Sequence, residues 1–130
     1  MKSNNSQDNL IFDYTRAEAI EDGLQVCVSD LFPSDTSMFK YPVYFTSEVW
    51  ELCQQQGIIV WDICYMAAMA GKTRRNDNSS IEYSLIVEGS NITPEFFEDG
   101  NPCYRLVAQC GAKDIDDPTP VITIMFRGER

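Results

Sequence analysis

The chain has 130 residues, with 10 Lys+Arg against 20 Asp+Glu and no histidine, for a formal net charge of −10. The absence of histidine excludes imidazole general bases, Ser-His-Asp and Cys-His catalysis and every His-based metal site. The acidic balance argues against binding nucleic acid through its phosphates, which requires clustered Lys and Arg.

The opening stretch MKSNNSQDN is polar and has no apolar core of the kind a secretory signal carries. Residues 1–10 are expected to form a disordered arm, and residues 11–130 a single domain, since most domains hold roughly 100–150 residues. The longest apolar run, Ile58 to Ala70, is interrupted by Asp62 and falls short of the ~20 residues that span a bilayer. A cytoplasmic protein with no membrane partner is expected. The five cysteines contain no C-x-x-C pair, so a zinc site is not expected and the thiols are taken as small buried hydrophobes. No metal or other cofactor is called for.

A helix is predicted over Thr15–Gly23. Thr15 is the N-cap, Glu18 stands at capping-box spacing, and Gly23 suits the left-handed position after the last turn. Ala17 and Ile20 are expected to face the core. Leu24–Val28 is the first predicted strand. Asp30–Lys40 is a loop with one helical turn near Ser34–Met38, and Tyr41–Phe45 is extended because Pro42 disfavours α geometry before it. A helix is predicted from Ser47 to Gln56, with Val49, Trp50, Leu52 and Cys53 as its apolar face. Gly57 ends it. The next helix, Val60 to Ala70 with Gly71 as its stop, has almost no polar side and is expected to lie central in the core.

Lys72–Ser80 is a polar loop. Ile81–Val87 alternates apolar and polar and is the second strand. Glu88–Pro102 connects it to the third strand, Cys103–Cys110. Gly111–Pro120 is a turn, and Val121–Phe126 is the fourth strand, paired with the third as a hairpin. The expected architecture is α+β: a four-stranded antiparallel sheet covered by a helical hairpin and a short N-terminal helix.

Several blocks carry a resemblance. They are Ile11-Phe12-Asp13-Tyr14-Thr15-Arg16-Ala17-Glu18-Ala19-Ile20-Glu21-Asp22-Gly23, Phe39-Lys40-Tyr41-Pro42-Val43, Val49-Trp50, Trp61-Asp62, Met66-Ala67, and Pro120-Val121-Ile122-Thr123-Ile124-Met125 with Gly128-Glu129. Over about residues 10–130 the chain resembles a family of small uncharacterised bacterial proteins often carried on plasmids, prophages and other mobile elements. The resemblance implies a context and no mechanism. The extra cysteines and the short Ile58–Val60 link before Trp61 depart from the pattern, which makes Gln54–Ile59 a tolerant surface.

Candidate site residues are Tyr14, Arg16, Asp22, Tyr41 and Asp62. Arg16 is either an anion-binding arginine at a helix N-terminus or a tie to the sheet through Asp13 or Asp22; the tie is preferred. Asp62, the one charge in the apolar helix, is either a buried proton-transfer or ligand-binding group or a first-turn carboxylate; the cap position is preferred, with Arg16 or Arg105 as partner if it is buried. The basic cluster Lys72-Thr73-Arg74-Arg75 suits a helix C-terminus and is a weak signal for phosphate. Lys113–Asp117 is either a loose Ca²⁺ or Mg²⁺ loop or a solvated hairpin tip, and the tip is preferred. Phe39, Tyr41, Tyr44 and Phe45 are either a binding surface or the rim of a core.

These features lead to a non-enzymatic acidic accessory protein that binds another macromolecule, with a basic protein as the expected partner. One form is an inhibitor of host defence that mimics the charge of DNA. The alternatives are a small-molecule-binding domain or enzyme using Asp62 and Arg16, and a homodimer paired through a sheet edge.

Overall fold

The computed structural model describes residues 15–56, 60–73, 80–85, 95–96 and 102–129. The first helix, α1 (Arg16–Glu21), begins at the expected capping box. The Glu18 N–H donates to Thr15 Oγ1 at 3.0 Å and the Thr15 N–H donates to Glu18 Oε1 at 2.9 Å. It ends where Gly23 adopts φ +79°, a conformation that costs glycine nothing. Its buried residue is Ala19; Ala17 and Ile20, expected to face inward, are exposed. A helix this short turns one narrow line toward its support, and Ala19 occupies that line.

Strand β1 (Gln25–Cys27) leads into a single turn, α2 (Val28–Leu31). The extended segment at Pro42 becomes strand β2 (Val43–Thr46), followed directly by α3 (Ser47–Gln56) and then α4 (Val60–Thr73). Strand β3 (Ser80–Leu85), the two-residue β4 (Glu95–Phe96), β5 (Pro102–Asp114) and β6 (Asp117–Phe126) complete the order, with a 3₁₀ turn at Arg127–Glu129.

The fold is mixed α/β. Five strands lie in the order β1-β2-β6-β5-β3, and β4 pairs with the start of β5. The pairing departs from the all-antiparallel expectation at one place: β2 and β6 run parallel, with Val43 opposite Ile122 and Phe45 opposite Ile124. The physical reason is visible in β2 itself. Val43, Tyr44 and Phe45 are all buried, so the strand is covered on both faces, which suits an interior parallel position. Helices α3 and α4 lie in the chain between β2 and the strands that lead to β6, as a crossover requires.

The hairpin of β5 and β6 is longer than expected. Its ladder continues through Gly111 opposite Val121 and Ala112 opposite Pro120 to Asp114 opposite Asp117, with a register shift between Ala112 and Asp114. The turn is confined to Ile115 and Asp116.

The main core forms between one sheet face and the two long helices. Phe45, Leu106, Tyr104 and Ile124 from the sheet meet Val49 and Leu52 of α3 and Val60, Ile63, Cys64 and Ala67 of α4. The helices share the sheet between them, α3 against β1, β2 and β6, and α4 against β3. The Tyr83 hydroxyl spans the layers, donating to the Ile63 carbonyl at 3.2 Å. Gly71 does not stop α4, which continues to Thr73. A Cβ at Gly71 would stand 3.5 Å from Ile81 Cδ1, so the helix rests close on β3 there, and packing outweighs the ~1 kcal/mol propensity cost of glycine.

Candidate functional site

Side chains alternate across a strand. Phe45 points into the helical core, so its neighbour Tyr44 lies on the opposite face of the sheet. Arg16 meets Tyr44 on that face. Its guanidinium carbon lies 4.4 Å from the centre of the Tyr44 ring, its Nη1 donates to Gln25 Oε1 at 2.7 Å, and its Nε donates to the Lys113 carbonyl. Burial lowers the pKa of Arg16 from its ordinary value, opposed by the nearby Tyr44 and Asp114. Burial raises that of the Tyr44 phenol, with Cys27 adding to the effect.

Asp114, from the end of β5, completes this cluster. Its Oδ1 accepts from the Arg16 N–H and its Oδ2 from the Ala17 N–H, each at 3.1 Å. The Ile115 N–H also donates to Oδ1, at 2.8 Å. Its pKa is lowered chiefly by that Ile115 N–H, then by Ala17 and Arg16. One carboxylate thus satisfies first-turn donors that a helix cannot satisfy internally. Arg16 links α1 to the sheet through described partners other than the Asp22 expected from the sequence, and Asp13, the other expected partner, lies outside the described residues. The partners are the Lys113 carbonyl, Gln25, Tyr44 and Asp114, all distant in sequence or on a different element. The hairpin tip is solvent-exposed at Ile115 and Asp116, while Asp114 has a structural task there. No feature of the sequence marks that task, because it depends on where the long hairpin ends in space.

The other candidates are scattered. Tyr14 lies outside the described residues. Asp22 is the exposed residue after α1, its N–H donating to the Glu18 carbonyl at 2.9 Å. Tyr41 is exposed in the loop before β2, whereas Phe39 packs on the core and Phe45 is within it. Asp62 stands in the first turn of α4 with its side chain exposed. Because α4 lies on the helical face and Arg16 on the other, the structure does not bring Asp62 and Arg16 together. Of the basic cluster, Lys72 lies in the last turn of α4, where a cation suits the helix dipole, and Arg74 and Arg75 lie outside the described residues.

The largest departure from expectation is α4. Only one stripe of this apolar helix is in the core. Trp61, Tyr65 and Met66 are each 40% exposed and Met69 is 39% exposed. Trp61, Tyr65 and Met69 recur at i, i+4 and i+8, which places them in a row along the outer face. The Trp61 and Tyr65 rings stack with centres 4.6 Å apart and planes 14° apart. The reason is geometric: a helix resting on one face of a sheet can bury only the side toward it. Apolar residues on the far side therefore remain in water. The sequence signal was an excess of apolar positions over what one buried stripe requires.

Among the described residues, no group of three or more Cys, Asp or Glu is arranged to hold a metal ion. No described helix is long and apolar enough to cross a membrane. No family model, curated protein or solved structure matches the chain.

Proposed function

We propose that this chain is a small acidic binding protein of a mobile genetic element that docks a basic protein through the outer face of α4. The carrying observation is the row Trp61, Tyr65 and Met69, with Met66 beside it, held in water on a rigid helix. Tryptophan, tyrosine and methionine are enriched at interface centres, and aromatic anchors supply much of the binding energy there. Contiguous apolar side chains left exposed mark sites of association. The charge selects the partner. A net −10 chain, with Asp62 exposed on this helix, draws a positively charged surface and repels an acidic one. A host-defence protein that handles DNA is a basic partner of this kind. The mobile-element context rests on the sequence resemblance.

The test places a photo-crosslinking amino acid at Tyr65 or Met69, and at Leu24 as a control, in the protein expressed in its native host. A basic protein captured at positions 65 and 69 but not at 24, with capture weakened by added salt, supports the reading. Crosslinking only to a second copy of the chain turns the reading to a homodimer. Equal capture at all three positions, or none at 65 and 69, refutes it.

A further inference from the structure

A groove of about 380 Å³ opens between the C-terminal half of α4 and the sheet. Phe39 of the loop before β2, Ala68 and Gly71 of α4, and Cys110 and Ile122 of the hairpin line it. The groove is open to solvent on one side, and its volume falls in the range of roughly 300–1,000 Å³ typical of small-molecule sites. Ala68 is a small residue on the helix wall of the groove, while at Gly71 the helix closes onto Ile81 and bounds it. The charge of the lining is the second observation. In a chain with twice as many acidic as basic residues, the one charged lining residue of the groove among the described residues is the solvent-exposed Lys72. No ion pair or hydrogen bond engages the Lys72 side chain among the described residues. An apolar wall with one cation is complementary to a molecule that is apolar at one end and anionic at the other.

We propose that this groove binds a small apolar carboxylate, with the hydrocarbon part along Phe39, Ala68 and Ile122 and the carboxylate at Lys72. The groove borders the outer face of α4, since Ala68 follows Tyr65 and Lys72 follows Met69 by three residues, but Phe39, Cys110 and Ile122 of its lining belong to the loop before β2 and to the hairpin.

The test uses decanoate, below its micelle concentration, titrated into the isotopically labelled full chain and followed by amide NMR. A parallel measurement follows alkylation of Cys110 by iodoacetamide with peptide mass spectrometry, since a ligand in the groove covers that thiol. Saturable shifts centred on Ala68, Gly71, Ile81 and Cys110 are expected, with Cys110 alkylation slowed several-fold. Lys72→Gln is expected to weaken decanoate about two- to fivefold, as loss of one solvent-exposed charge pairing does, while leaving 1-decanol binding unchanged. Ala68→Phe fills the groove and is expected to abolish both. If circular dichroism shows that Ala68→Phe fails to fold, the Cys110 footprint on the wild type and on Lys72→Gln decides. Absence of saturation overturns the proposal. So do shifts centred on Trp61, Tyr65 and Met69 that persist in Ala68→Phe. Equal decanoate affinity in the wild type and Lys72→Gln also overturns it.

Discussion

Ile63 and Met66 stand nearly one turn apart on α4 and offer a matched pair of truncations. Ile63 is fully buried in the core and Met66 is 40% exposed. Substitution of either by alanine removes three non-hydrogen atoms and changes helix propensity by only a few tenths of a kcal/mol. At Ile63 the lost transfer free energy is about 2.4 kcal/mol, taking ~0.8 kcal/mol for each carbon. The cavity left between α4 and the sheet adds to this, so Ile63→Ala should cost about 3–4 kcal/mol. At Met66 only about three-fifths of the side chain is buried to begin with and the space opens to water, so no enclosed cavity remains. Met66→Ala should cost about 1.4 kcal/mol, three-fifths of the transfer term at Ile63 with no cavity added. Urea unfolding followed by circular dichroism measures both, and an unchanged slope against denaturant would confirm that stability alone has shifted. Equal costs for the two substitutions would mean that α4 is enclosed on all sides, and the assignment of an outer docking face would fall with it.

Other outcomes follow from the same structure. Gly23→Ala should lower stability by about 1 kcal/mol, because φ +79° is strained for alanine although no atom lies within 4 Å of the new methyl; a thermal melt indistinguishable from the wild type would contradict this. The lowered pKa of Asp114 gives stability that is present above the unfolded carboxylate value and lost as pH falls through the folded one. Asp114→Asn should therefore flatten the acid limb of the stability curve and speed amide exchange at Arg16 and Ala17. Glu129 has the opposite sign. Burial raises its pKa despite hydrogen bonds from the Phe126 N–H at 2.8 Å and the Thr46 hydroxyl at 2.9 Å. Its contribution is complete below the unfolded value and fades as pH rises through the folded one, so Glu129→Gln should remove that decline. Burial pushes the Cys53 thiol up to about 11 and the Cys64 thiol up to about 12. Native protein at pH 8 should then show slow alkylation at both, and Cys64 reacting as fast folded as unfolded would refute the burial argument.

Much of the local structure was legible in the sequence. The capping box at Thr15 and Glu18, the glycine stop at Gly23, the α3 span Ser47–Gln56 and the pairing of the last two strands all depend on neighbours within a few residues, so spacing alone reveals them. The sequence also determined the charge, the lack of imidazole chemistry and the surplus of apolar positions in α4. What only the tertiary structure decided depends on partners far along the chain. The parallel match of Val43 to Ile122, the Asp114 carboxylate under α1 and the choice of which α4 stripe meets water are of this kind. Each is set by how two layers stack. Periodicity states that a side chain is apolar or polar, whereas its neighbour is fixed by sheet order and by how much surface one helix can cover.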